Sequence, residues 1–261
     1  MIKNLMFYIV KNGGYNMKRK ILILLCIILG NFLHGENKLS IGIGVNSENI
    51  NNFFRGDTVV TPYPMLDIRY DNFFINGFDM GYDFINRDDL TFSLFVNPFD
   101  GFYVRPKDMD EGYKSIDKRR YQVVGGAKLS YNFNSHHTWI STTVTGGERG
   151  VKGNVKVIQS FPVTEKLMLF SVMGANVYSK GYTDYYWGID NNELGGKITN
   201  SYNPDMGYSG ALELAAEYYF NERLTLMAFM SAEKFSDEIK RSPIIDNSTL
   251  IKMGAGIRYQ F

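Results

Sequence analysis

The sequence predicts an all-β chain: a transmembrane, antiparallel, up-and-down β-barrel of about twelve strands, preceded by a cleaved export signal. Three observations carry this expectation. The chain closes on a strand of alternating apolar and polar residues that ends at Phe261. Two internal segments repeat the alternation over a length that spans a bilayer. The connections between strands alternate between short and long.

At the N-terminus, Met17-Lys18-Arg19-Lys20 precedes an apolar run over 21–30. That is the form of a secretory signal, and it is too short for a spanning helix, which needs roughly 20 residues. Cleavage is expected after Gly35. Gly13-Gly14 fits a ribosome-binding sequence in the gene, so translation is expected to start at Met17. The expected division is a leader over 1–35 and a barrel over 36–261. Cys26, the single cysteine, lies in the leader behind Leu25, which is too large for a lipoprotein signal. The mature chain is therefore expected to be cysteine-free, without disulfides.

Expected strands cover 39–46, 65–70, 73–76, 78–85, 90–96, 121–133, 138–145, 155–161, 167–175, 208–220, 224–232 and 251–261. In 121–133 and in 208–220, the tyrosine pairs Tyr121/Tyr131 and Tyr208/Tyr218 stand ten positions apart on the apolar face. Ten residues at roughly 3.3 Å each, tilted by about 40°, rise about 25 Å, the height of an apolar band between two aromatic girdles. In the last strand Ile251, Met253, Ala255, Ile257, Tyr259 and Phe261 share one face, with Lys252, Arg258 and glycines on the other. Short turns are expected at 71–72, 86–89, 134–137, 162–166 and 221–223. Long loops are expected at 47–63, 97–120, 146–154, 179–207 and 233–249. Short periplasmic turns and long outer loops are the barrel rule, and both termini then fall in the periplasm. Asn76-Gly77 must form a tight outer hairpin. If 73–85 were one bulged strand, the count would fall towards ten, with a further strand drawn from 102–105.

Composition narrows the function classes. The 28 basic residues, less five in the leader, against 27 acidic ones leave a net charge of −4, which gives no support to nucleic-acid binding. No stretch after the leader reaches 18 apolar residues, so helical spans are excluded. His136 and His137 sit together in a turn with no third ligand and no strained nucleophile near Ser141, so neither a metal site nor catalysis is expected. No cofactor is expected. Asp108, Asp110 and Glu111 read as a solvated acidic loop, lacking the glycine and terminal glutamate of a calcium loop. Gly42 and Gly44 read as strand glycines, because no helix follows them.

Three groups remain as candidates. Glu213, Glu217, Lys252 and Arg258 face the lumen, where a charge needs a partner or water; they form an internal polar network or a solute pathway. Similar depth, with one strand between them, pairs Glu217 with Arg258. Lys118, Arg119 and Arg120 at the outer rim either contact lipopolysaccharide phosphates or form a plain charge cluster. Tyr259 and Phe261 resemble the C-terminal signal read by the outer-membrane barrel assembly machinery.

Several motifs resemble the MipA/OmpV family of outer-membrane proteins. They are Leu66-Asp67-Ile68-Arg69-Tyr70 with Phe73-Phe74 and Gly77, then Asp117-Lys118-Arg119-Arg120. Tyr185-Tyr186-Trp187-Gly188-Ile189 and Tyr202-Asn203-Pro204 follow. Ser236-Asp237-Glu238-Ile239 and Ser242-Pro243-Ile244-Ile245-Asp246 complete the set. Ala127-Lys128-Leu129 and a shorter, Asn-rich chain depart from the pattern. The resemblance implies a non-enzymatic scaffold between a lytic transglycosylase and a bifunctional penicillin-binding protein. Alternatives are a narrow channel for small solutes, or an adhesin acting through the long loops.

Overall fold

In the computed structural model, residues 38–133 and 137–261 are described; the leader, Cys26 and His136 lie outside the described residues. The alternating runs become β1 (Lys38–Glu48), β2 (Val59–Tyr70), β3 (Phe73–Asn76), β4 (Asp79–Asn86), β5 (Leu90–Asp100) and β6 (Gln122–Phe133). They continue as β7 (Thr138–Gly147), β8 (Gly150–Thr164), β9 (Leu167–Tyr178), β10 (Gly207–Tyr219), β11 (Leu224–Phe235) and β12 (Thr249–Gln260). All pair antiparallel with their neighbours, and β1 closes on β12 from Ser40↔Gln260 to Ser47↔Met253. Closure leaves no free terminal strand in the ring, as a hydrocarbon surrounding demands.

Facing follows the sequence period. Ile43, Val123 and Leu214 are 70%, 63% and 53% exposed, and such residues form a continuous apolar exterior that only lipid can cover. At the lower ends, same-face aromatics pack edge to face: Tyr131 on Phe133, Tyr218 on Phe220 and Tyr259 on Phe261, with ring centres 4.9–5.1 Å apart. Tyr121 and Tyr208 mark the opposite rim, and both are exposed.

The structure corrects two expected connections. Residues 146–154 are not a loop: β7 and β8 run through them, Gly147 pairs with Gly150, and only Glu148-Arg149 turn. Gly150 has φ +123°, a conformation that side chains resist, so its lack of Cβ permits the tight turn. The expected turn at 162–166 shrinks to Glu165-Lys166, because β8 continues past Pro162 through a register shift. The hairpin between β3 and β4 turns on Gly77-Phe78, with Gly77 at φ +58° and Asn76 paired to Asp79. The ring therefore holds twelve strands, and 102–105 belongs to a loop.

The wall is thinnest at β3. Above Leu66, β2 pairs only with β1. The Leu66 carbonyl accepts the Gly77 N–H from the β3–β4 hairpin, so Pro62 and Pro64, two and four positions away, turn their missing donors towards this same open edge. Proline on an unpaired edge denies it the N–H row that another strand would join.

Candidate functional site

The chain's buried apolar core lies above the barrel, in the long loops. Helix α1 (Lys180–Trp187) and the short α2 (Asp237–Lys240) fold inward with the loops after β1 and β5. Tyr178, Tyr182 and Tyr186 are spaced by four, so the helix presents the last two on one face. Trp187 is 0% exposed and packs against the rings of Phe102, Tyr178 and Phe235, with centres 5.4–5.6 Å away. Phe53, Ile198, Ile239, Ile244 and Leu250 belong to the same cluster.

Polar groups tie the loops to each other. Asn49, in the left-handed region, accepts the Phe54 N–H at 2.7 Å and donates to the Gly56 carbonyl at 2.8 Å. Short β-bridges join Phe54 to Ile245 and Gly56 to Met109. Arg119 and Glu193, both almost wholly buried, form an ion pair of 2.7 Å. Arg119 also donates to the Gly188 carbonyl, while Glu193 accepts the N–H groups of Asp117 and Asp190. This sharing offsets the burial of the two charges, although among the described residues the Arg119 Nε finds no partner. The Tyr186 hydroxyl shares its one proton between the carbonyls of Asp100 and Arg120, 3.2 and 3.1 Å away. Burial, with Asp100 nearby, pushes the Tyr182 and Tyr186 phenols well above their usual range, so both remain neutral. The result is a folded roof over the outer mouth.

Below it, large side chains lie across inward glycines. A Cβ on Gly254 would stand 2.3 Å from Phe229, and one on Gly126 would stand 2.4 Å from Phe95. These glycines make room for rings that narrow the lumen. Polar pairs fill much of the remainder. Arg69 meets Asp83 at 2.5 Å, Asp83 also accepts from Ser93, and Lys152 pairs with Asp100. Glu233 accepts from Asn176, Tyr178 and Ser209.

Of the four lumen residues expected from sequence, two come together. The Arg258 guanidinium stands 3.3 Å from Glu217, which also accepts the Tyr219 hydroxyl at 2.7 Å. Lys252 instead pairs with Glu48 at 3.4 Å, near the roof, and Glu213 stands apart. Sequence reasoning missed Arg69, Asp83, Asp100, Lys152 and Glu233. Inward parity on the expected strands was the signal for Arg69 and Asp83; Asp100, Lys152 and Glu233 fell in expected loops and became inward only where β5, β8 and β11 extend over them.

At the rim, Lys118 and Arg120 are exposed, whereas Arg119 is turned into the roof and has no surface charge to offer. Lys118 lies 4.6 Å over the Tyr103 ring. Asp108 pairs with Arg105, and Glu111 pairs with Lys114 at 2.5 Å; each acid thus has a cation of its own. His137 lies 3.3 Å from the Ser160 hydroxyl. Ser141 is bonded to Ser130 at 3.1 Å.

A closed twelve-stranded wall, apolar outside and polar inside with aromatic ends, defines an outer-membrane β-barrel. The family model described as "MltA-interacting protein MipA" matches residues 41–261, and the chain belongs to that family. The "24 kDa outer membrane protein" of Pasteurella multocida is 34% identical, over 94% of this chain and all of its own length. The "MltA-interacting protein" of Escherichia coli K12 is 27% identical, over 87% of this chain and 92% of its own. A solved bacterial polysaccharide outer membrane secretin overlays with a TM-score of 0.46 at 9% identity, covering 87% of this chain and 100% of its own.

Proposed function

We propose that this outer-membrane barrel is a non-enzymatic scaffold that joins a lytic transglycosylase to a bifunctional penicillin-binding protein on its periplasmic side. The name of the E. coli relative supports the first partner. The roof is the single observation that favours a scaffold over an open channel, because seventeen buried apolar residues occupy the outer mouth. The faces left for partners are then the periplasmic turns, the lower wall and the roof's outer surface.

The periplasmic turns hold only two to four residues each, whereas a stable interface takes roughly 20–30 residues per side. Binding to a wall enzyme is therefore expected at micromolar affinity or weaker, with the lower wall contributing. Pull-down from native envelopes should lose the enzymes when 134–137 or 162–166 are altered, and retain them when 179–207 is altered. The opposite pattern transfers the role to the loops and to the adhesin reading. Lys118 and Arg120 are proposed to meet lipopolysaccharide phosphates. Tyr259 and Phe261 are proposed as the signal for the assembly machinery, and residues 1–35 as the removed leader.

A further inference from the structure

Beneath the roof, two cavities of about 280 and 310 Å³ meet along Lys152, Asn154, Lys156 and Asn176. Together they reach the size range of small-molecule sites, which begins near 300 Å³. Phe102, Tyr182 and Leu250 line the first cavity, so the roof closes it above. Lys152 and Lys156 stand on β8, with Lys128 beyond them on β6 and Asp79 and Asp100 beside them in the second cavity; Glu213 and Glu233 stand on β10 and β11, with Lys252 beyond them on β12 but drawn to Glu48.

Most of these groups are already engaged, Lys152 by Asp100 and Glu233 by three donors. Lys156 and Glu213 are not: among the described residues neither has a hydrogen bond or ion pair, although both line one cavity. The wall keeps them apart. Lys156 pairs across β9 with Gly174, Gly174 with Ala211, and Glu213 lies one inward position deeper. Two strand spacings and one inward step along β10 put their backbones roughly 12 Å apart. The row from Lys156 to β10 carries the small Gly174 and Ala211, with Val172 beside Glu213 on β9, and the stem of Lys156 lies 3.1 Å from where a Gly174 Cβ would stand.

Two opposite charges held apart in one cavity suit a molecule that carries both complements. We propose that this cavity binds a zwitterion of dipeptide size, its carboxylate on Lys156 with Lys128 behind, its ammonium on Glu213. Such a ligand has its termini roughly 6 Å apart, given 3.8 Å between successive Cα atoms, and so fits between the two side chains. With the outer mouth roofed, it enters from the periplasmic end.

The test is calorimetric titration of the intact, detergent-solubilised barrel with alanyl-alanine, its N-acetyl form and its C-terminal amide. The zwitterion should bind saturably, and either cap should weaken binding about tenfold or more. Lys156→Gln should erase the discrimination against the amide, and Glu213→Gln that against the acetyl form. No saturable binding of alanyl-alanine, or equal binding of all three peptides, overturns the proposal. These outcomes need only the natural chain, so a poorly folding variant does not protect it. Binding of the amide and the zwitterion alike, with loss only on acetylation, removes Lys156 from the site and also overturns it.

Discussion

Replacing Trp187 by Ala should open the roof and leave the barrel standing. The side chain is fully buried among five aromatic rings, those of Phe102, Tyr178, Tyr182, Tyr186 and Phe235. About 200 Å² of buried indole at about 25 cal/mol per Å² is worth roughly 5 kcal/mol, near the upper end of measured Trp→Ala losses. An offset is already present in the native roof: among the described residues the indole N–H is buried without a partner, a defect that costs about 1–3 kcal/mol and vanishes with the ring. The net loss is roughly 2–4 kcal/mol, which raises the open population of the roof about 30- to 700-fold. Hydrogen exchange read by mass spectrometry should show faster exchange in 180–206 and 236–248, with β10 and β12 unchanged. In planar bilayers the variant should show conductance steps that the natural chain lacks. Unchanged exchange in those loops, or equal loss of protection in the strands, would refute the assignment of this core to a separable roof.

Other outcomes follow from the same geometry. Trp187→Phe, which removes the unpaired donor but keeps a ring, should cost under about half as much as Trp187→Ala in a denaturant titration. Leu214→Arg places a charge in lipid and should cost roughly 2–4 kcal/mol; Glu213→Gln beside it should be nearly silent, and equal damage from both would reverse the facing of β10. A double-mutant cycle on Glu217 and Arg258 should give a coupling of about 0.5–3 kcal/mol, whereas a value of zero would mean the two do not interact. Glu238 accepts the Asp205 N–H and pairs with Arg241, and these contacts hold its carboxyl below the usual range. A lowered carboxyl stabilises the fold above its unfolded value, near 4.3. Protection of the Asp205 amide should therefore persist at neutral pH and fall away in acid as the folded value is crossed. An identical acid profile in Glu238→Gln would assign that loss to another group.

The barrel was legible because its physics is periodic. A wall between lipid and water forces strict alternation, and Tyr208, Leu212, Leu214 and Tyr218 display it without interruption. Residues 146–154 escaped because Gly146, Gly147, Gly150 and Gly153 interrupt the apolar row; the tight turn is flanked by two of them, Gly147 and Gly150. The roof was illegible for a different reason. Its apolar residues, from Phe53 to Ile245, come from separate loops with no shared period, and only Tyr178, Tyr182 and Tyr186 betray a helical spacing. Arg119 illustrates the limit on site residues: in sequence it sits between two cations that stay outside, and only its distant partner Glu193 shows that it turns inward.

The seam at β3 also bears on how such a ring would break. The two ends of the chain meet over eight paired residues, while β2 and β3 share four. The joint between the first and last strands is thus longer than one within the wall. Under lateral tension, rupture would start beside Phe73–Asn76, with the first and last strands still clasped. One lip of that tear carries Pro62 and Pro64, so it offers little purchase to a neighbouring molecule's strand, and a barrel torn there would reseal on itself instead of polymerising with others.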